Sequence, residues 1–300
     1  EQDAYIYATT DKYARKLEKE HEAYEKLNID GELTDNIPFD IEVRNVLSMK
    51  NQAQFHPIKY LAHLVSGITD NGGRIFEHTT AVDVDDGNTV VTRDGYRVKG
   101  DTVLACSHYP FYDGMGVYYT RMYASRSYIV AVKTNRDYPG GMYISADKPT
   151  RSLRGVPING EEKLVLLVGE SHKTGQGKDT LQHYKALESF GQEVFGQIET
   201  VYRWSAQDLV TLDKVPYVGQ ITSARPDVLV ATGYRKWGMS SGTAAALLLA
   251  DIVLGKENPY KKLFDPSRFY ADPSLKTFLK QNVNVAGHLI KGKFEMPGKD

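Results

Sequence analysis

The densest chemistry in this chain lies in nine residues: Gly233, Tyr234, Arg235, Lys236, Trp237, Gly238, Met239, Ser240 and Ser241. An apolar run, Val228 to Thr232, precedes them, and a mostly apolar helical segment, Ser240 to Leu254, overlaps their end. The pattern reads as strand, glycine turn, helix. Gly233 and Gly238 allow a ligand to approach the backbone closely. The amides around Met239, Ser240 and Ser241 point out of a helix N-terminus, which stabilises negative charge placed there. Tyr234 adds an aromatic hydroxyl, and Arg235 and Lys236 add cations. The competing reading is an ordinary strand–turn–helix whose glycines serve packing.

Other side chains could hold a substrate. An arginine fork matches a carboxylate bidentately, and Arg121, Arg126, Arg151, Arg154 and Arg203 are candidates. Tyr118, Tyr119 and Tyr143 could form an aromatic wall. Surface or structural roles compete at each position. Cys106 is the single cysteine, so the sequence offers no internal disulfide framework and no cysteine-rich metal or iron–sulfur site. A lone cysteine in an apolar strand reads as a buried, inert residue. The compartment expected from this cysteine usage is the cytoplasm.

Composition narrows the function classes. The 300 residues suffice for one large or two ordinary domains. With 37 Lys and Arg against 38 Asp and Glu, no charge excess favours nucleic acid or an anionic membrane. No apolar run reaches the roughly 18–20 residues of a membrane helix. The longest, Ala244 to Leu254, is interrupted by Asp251.

The elements that must position these residues follow from periodicity. Asp11 to Leu27 places Tyr13, Leu17, Tyr24 and Leu27 among dense Lys and Glu, as in an exposed amphipathic helix. A second helix opens at Pro57, with Ile58, Leu61, Leu64, Val65 and Ile68 on one face, and stops at Gly72-Gly73. Strands are expected at Arg74 to Phe76, Thr79 to Val84, Thr89 to Thr92 and Tyr96 to Lys99, the last two as a hairpin around Asp94-Gly95. Thr102 to Cys106 reads as a strand of a buried parallel sheet. From His108 to Arg203, short strands alternate with turns, Asn159-Gly160 among them, around one helix at Thr180 to Phe195. The helix after the glycine loop is apolar around most of its circumference and is expected to be buried. Lys261 to Asp300 shows weak periodicity and reads as a tail or linker.

In this order the parts resemble the D-amino-acid oxidase and glycine oxidase superfamily of FAD-dependent oxidoreductases. The resemblance rests on Phe55-His56-Pro57 to Cys106, with Thr80-Ala81-Val82 and Val103-Leu104-Ala105. It rests also on Asp213-Lys214-Val215-Pro216-Tyr217-Val218-Gly219 and, above all, on Val230 to Gly242. It covers roughly residues 50 to 256. More narrowly, the chain resembles a bacterial branch in which a C-terminal Rieske domain follows the oxidoreductase. Val283 to His288 would then begin the connection. The Cys–His pairs that hold a 2Fe–2S cluster are not in this sequence, so the cluster is expected only outside it.

The fold class implied is α/β (α+β): an incomplete FAD-binding Rossmann-like domain plus a mostly antiparallel substrate domain with helices. The divisions are 1–48 (helix and loop of the substrate domain), 49–107 (FAD domain, first part), 108–204 (substrate domain), 205–258 (FAD domain, second part) and 259–300 (tail). The resemblance places FAD against Val82, Ala105, Cys106, Gly233, Trp237, Gly238, Met239, Ser240 and Ser241. Tyr234, Arg235 and Lys236 become catalytic candidates. Tyr118, Tyr119, Tyr143 and Arg154 become substrate contacts. His56 could lie near the cofactor, but it reads more simply as a helix-start residue.

Two departures stand out. The Gly-x-Gly-x-x-Gly turn that holds a pyrophosphate is not found. Gly114-Met115-Gly116 and Gly175-Gln176-Gly177 are lone fragments, and the family would place the fingerprint upstream of Glu1. The chain is therefore expected to be a fragment, inactive by itself. The slot where glycine oxidases carry a substrate arginine reads Ala206-Gln207-Asp208-Leu209. The expected function is oxidation of a C–N bond in a small amine or amino acid, with electrons passing in the whole protein to oxygen or to the Rieske cluster. The alternatives are a non-catalytic partner-binding module, or a flavoprotein domain that modifies RNA, against which the near-neutral charge argues.

Overall fold

Seven strands and two helices occupy about the first third of the chain, in chain order. They are β1 (Gln2–Ala8), α1 (Asp11–Leu27), β2 (Leu33–Thr34), β3 (Asn45–Gln52), α2 (Pro57–Asp70), β4 (Ala81–Val84), β5 (Thr89–Thr92), β6 (Arg97–Lys99) and β7 (Val103–Ala105). Then come α3 (Tyr118–Arg121), β8 (Met122–Thr134), β9 (Met142–Ser145), β10 (Arg151–Asn159), β11 (Glu162–Lys173), α4 (Thr180–Phe195) and β12 (Ile198–Thr211). The chain ends with β13 (Tyr217–Thr222), β14 (Arg225–Thr232), α5 (Gly238–Val253), α6 (Lys261–Phe264), a π-helical turn (Ala271–Leu275) and α7 (Lys276–Phe294). The computed structural model describes residues 1–159, 162–176, 179–269 and 271–294. The Asn159-Gly160 turn and Gly177 of the second glycine fragment therefore fall partly outside the described residues.

The fold is mixed α/β, as the resemblance implies. It separates into two units: Glu1–Tyr60 with Ser125–Gln207, and Leu61–Ala124 with Asp208–Asp300.

The first unit is built on an eight-stranded sheet in the order β12-β8-β11-β10-β9-β1-β3-β2. Among its registered pairs, only β1 and β9 run parallel. Alternation along β8 sends Tyr128, Val130 and Val132 into a core shared with Tyr7, Leu153, Leu167 and Leu187. Helix α4 starts where the Asp179 side chain accepts the Leu181 N–H, and it buries Leu187, Gly191 and Val194. Gly191 is there because a Cβ would meet Leu167 Cδ1 at 2.5 Å. Helix α1 buries Ala14, Leu17 and Tyr24, spaced three and seven residues apart, against Ala8 and Leu47. Its chain reverses at Asn28, whose left-handed φ of 54° releases the helix end.

The second unit carries a three-stranded antiparallel meander, β4-β5-β6, and a second sheet in the order β13-β14-β7. Strand β14 runs antiparallel to β13 and parallel to β7. One face of this sheet buries Val103, Val228 and Val230 with Tyr118, Met122, Tyr217 and Ile221. The other buries Val218, Leu229 and Ala231 against Ala245, Leu248 and Leu249 of α5.

Three sequence expectations change here. Arg74 to Phe76 is irregular and not a strand: it pairs with no strand among the described residues, and Ile75 and Phe76 are exposed. Helix α5 is buried on one stripe only, for Leu247, Val253 and Leu254 are more than half exposed. The tail reading of Lys261–Asp300 misses the 19-residue helix α7. Within the same stretch, Arg268 is held by Asp213 and by the Pro216 and Phe264 carbonyls. Weak periodicity conceals such a segment, because hydrogen bonds and a buried ion pair hold it in place of an apolar stripe.

Candidate functional site

Strand β14 delivers the chain to Gly233 with φ at +78°, a conformation in which glycine costs little. There is also no room for a side chain, since a Cβ would lie 2.4 Å from Thr211 Cγ2. Val210 then bridges to Tyr234, and Arg235 donates its N–H to the Leu209 carbonyl at 2.9 Å. Arg235 itself takes a left-handed φ of 57°. Trp237 donates to the Tyr234 carbonyl at 3.0 Å, closing the turn before α5. The loop is thus pinned to the end of β12 by backbone contacts, with Arg235, Lys236 and Trp237 exposed and Tyr234 half-buried against the core under α5.

Helix α5 begins without a side-chain cap. A Cβ at Gly238 or at Gly242 would meet nothing within 4 Å. The first-turn amides of Gly238, Met239 and Ser240 therefore open onto unfilled space. This is the arrangement that holds an anionic or electron-rich group. Trp237 is 66% exposed beside it, and Met239 is partly exposed.

Lys236 is tied down by a residue that its sequence neighbours do not reveal. Its Nζ lies 3.1 Å from Asp208 Oδ2. Asp208 lies in the Ala206-Gln207-Asp208-Leu209 slot, which holds no arginine. Beneath the loop, burial pushes the Tyr234 hydroxyl up to about 12, with nearby Cys106 as the second cause. Cys106 is solvent-accessible, yet the apolar wall around it raises its thiol above the ordinary value.

The remaining candidates scatter. Ala105 is buried in β7. Val82 is exposed and sits in the register irregularity between the Ala81–Thr92 and Asp83–Val91 pairs. Tyr118 is fully buried in the second unit and donates its hydroxyl to the Ile221 carbonyl at 2.9 Å. Tyr119, its neighbour, is exposed. Tyr143 and Arg154 belong to the first unit. Tyr143 is buried and stacked on Tyr5 at 4.7 Å, while Arg154 is exposed on β10. His56 accepts the Lys59 N–H at 3.3 Å, a helix-start contact.

Three of the other arginines have local partners. Arg126 donates to Ser205 at 2.8 Å, Arg203 Nε donates to Glu188 at 2.8 Å, and Arg151 pairs with Glu170. Among the described residues, no group of His, Cys, Asp or Glu could hold a metal ion. Nor is any helix among them long and apolar enough to cross a membrane.

The family model described as FAD dependent oxidoreductase matches residues 1–252. The chain belongs to the FAD-dependent oxidoreductase family. Within it, the likeness extends to solved structures. Glycine oxidase from Geobacillus kaustophilus superposes with a TM-score of 0.76 at 19% identity, covering 90% of this chain and 76% of that one. L-proline dehydrogenase from P. horikoshii gives 0.73 at 16% identity, covering 89% and 76%. A curated relative from Bacillus subtilis (strain 168), which carries the name of a Rieske 2Fe-2S iron-sulfur protein, YhfW, is 48% identical over 299 residues. That match takes in 99% of this chain and 58% of the relative, so the chain spans little more than half of the curated relative's length.

An FAD-dependent oxidoreductase needs a place for the isoalloxazine ring, and the uncapped start of α5 fits one. Asp208 and Thr211 were missed by sequence reasoning. No local signal marks either, since each acts on a residue more than twenty positions away.

Proposed function

We propose that this chain forms the substrate-binding part and the flavin-facing part of an FAD-dependent oxidoreductase that oxidises a C–N bond of a small amine or amino acid. The observation that carries this is the open, uncapped N-terminus of α5 directly after the pinned Gly233 loop. Bound flavin supplies acceptance of a hydride equivalent from the carbon next to nitrogen. The amides of Gly238, Met239 and Ser240 would stabilise charge that develops on the pyrimidine side of the ring. Gly233 and Gly238 would let the backbone approach its edge, and Trp237 would shield it from water. Val82, Ala105, Cys106 and Ser241 are the further contacts we assign to the cofactor.

Lys236, fixed by Asp208, would orient the substrate or hold a proton near its reacting nitrogen. Tyr234 and Arg235 precede it in the same loop. We assign Tyr119 and Arg154 as substrate contacts that present exposed side chains. For Tyr118 and Tyr143, burial favours shaping the two cores over touching substrate. The name of the B. subtilis relative supports a 2Fe–2S centre elsewhere in the whole protein, on cysteines and histidines outside these 300 residues.

The test uses the whole protein, purified under mild conditions. Flavin absorbance is expected, and anaerobic addition of amines or amino acids should bleach it. A protein that releases no flavin on denaturation and takes up no FAD on titration would overturn the reading.

A further inference from the structure

The eight-stranded sheet of the first unit has two faces, and alternation divides the residues of its central strands between them. Tyr143, Leu153 and Leu167 lie opposite one another on the face that forms the core under α4. Their neighbours point the other way. There Ser152 stands opposite Ile144 and Val168, and Arg154 stands opposite Met142 and Leu166. Helix α1 covers this second face over β1 and β3, where Ile6 and Leu47 pack with Ala14 and Leu17. At the β8 end of the same two rows, Ile129 and Ala131 are buried. Between these limits the face is open. Ile144 is 43% exposed, Arg154 is exposed, and Met142, Ser152, Leu166 and Val168 are half-buried.

Among the residues registered in these two rows, Arg154 alone is charged. Arg151, on the core face of the same strand, is paired with Glu170. Arg154 makes no hydrogen bond or ion pair among the described residues. A guanidinium flanked by Met, Ile, Leu and Val side chains gives up part of its hydration, so an anion brought to it is held more strongly than at an open surface. Its planar fork matches a carboxylate bidentately. The flanking side chains offer apolar area and no hydrogen bonds. They favour an apolar substituent on the same molecule and penalise a second charge, which would be desolvated there without a counter-ion.

We infer that this open patch sets the substrate class: Arg154 holds the carboxylate of an amino acid, and Met142, Ile144, Leu166 and Val168 select one with a sizeable apolar side chain over glycine and over acidic or basic amino acids. The inference rests on the amine-or-amino-acid reading above and narrows it. It also accounts for the slot at 206–209 that holds no arginine. The carboxylate-binding fork comes from β10 instead.

The experiment uses the whole protein and an unreactive probe, 4-methylpentanoate, which is the carbon skeleton of leucine without its amino group. Isothermal titration calorimetry should show it binding at least about ten-fold more tightly than acetate. Arg154→Met should weaken it by about ten- to a hundred-fold, and Arg154→Lys, which keeps the charge but not the fork, by less. If Arg154→Met does not fold, Arg154→Lys carries the test. Ile144→Thr should weaken 4-methylpentanoate and leave acetate unchanged. Equal binding of the two acids, tighter binding of succinate, or binding indifferent to Arg154 overturns the inference. Anaerobic bleaching of the flavin by D- and L-leucine, glycine, aspartate and lysine separates the two readings. If 4-methylpentanoate binds through Arg154 while no amine or amino acid bleaches the flavin, the proposed oxidation fails and the carboxylate site stands. If amino acids bleach the flavin but glycine is preferred, or 4-methylpentanoate stays unbound, this inference alone fails.

Discussion

Arg268 grips Asp213 with two parallel hydrogen bonds, Nε to Oδ2 at 2.8 Å and Nη2 to Oδ1 at 2.9 Å, across 55 positions of sequence. Both side chains are nearly sealed from solvent, at 4% and 7% exposure. The guanidinium also donates to the carbonyls of Pro216 and Phe264 and lies 4.4 Å over the Tyr217 ring. Asp213 accepts the Val215 N–H and the Thr211 hydroxyl. This pair fastens the chain after α5 to the turn before β13.

Breaking such a pair leaves one buried charge uncompensated, which costs about 3–5 kcal/mol. Arg268→Met should therefore lower the unfolding free energy of the whole protein by that order, seen as a lower urea midpoint. An unchanged midpoint would show that the pair is dispensable. The double variant Asp213→Asn with Arg268→Met should recover part of the loss.

Acid should act on the same pair. Burial works to raise the Asp213 carboxyl, but the Arg268 hydrogen bonds, the Val215 N–H and the Arg268 charge outweigh it and hold it below its ordinary value. Glu170 is likewise held low, by His183 and Arg151 against burial. A depressed carboxylate contributes stability above its unfolded pKa, about 4. That contribution is lost as pH falls through the folded value. The urea midpoint should therefore drop from about pH 5 downward, and less steeply in the Asp213→Asn, Arg268→Met double variant. Parallel pH profiles of the two proteins would contradict this.

Gly233 and Gly238 should separate folding from binding. Gly233→Ala places a Cβ against Thr211 at a φ of +78°, and strain of this kind costs about 1–3 kcal/mol. Gly238→Ala meets nothing within 4 Å, so stability should stay within about 0.5 kcal/mol. Its flavin-to-protein ratio, read by absorbance after dialysis, should nevertheless fall. Full flavin retention in Gly238→Ala would remove the α5 N-terminus from the cofactor site.

Lys236 and Asp208 give a kinetic test. If Lys236 handles the substrate, Lys236→Met should lower kcat/KM by about 10²–10⁴-fold. Asp208→Asn should act more weakly, by loosening the Lys236 side chain. Neither should move the thermal midpoint much, because partly exposed ion pairs contribute only about 0–1 kcal/mol. Equal activity in wild type and Lys236→Met would assign the pair to surface structure.

The helices were legible because their apolar spacing is local. Asp11–Leu27 and Thr180–Phe195 form where their periodicity predicts, and Gly72-Gly73 ends α2 as expected. The Gly233 loop could be read for the same reason, since glycines, strand and helix adjoin in sequence. The Asp208–Lys236 and Asp213–Arg268 pairs could not be read, because their partners are 28 and 55 positions apart. Charge alone does not choose among 37 cations and 38 anions.

By itself, then, the sequence determined the elements, the glycine turn into α5 and the family likeness. These depend on residues within a helical turn or a strand of one another. Only the tertiary structure decided that Tyr118 and Tyr143 are core residues, that Lys236 is held by an aspartate, and which side of α5 packs on the sheet. Hydropathy records which residues favour burial. It takes the packed arrangement of distant segments to show which of them are covered.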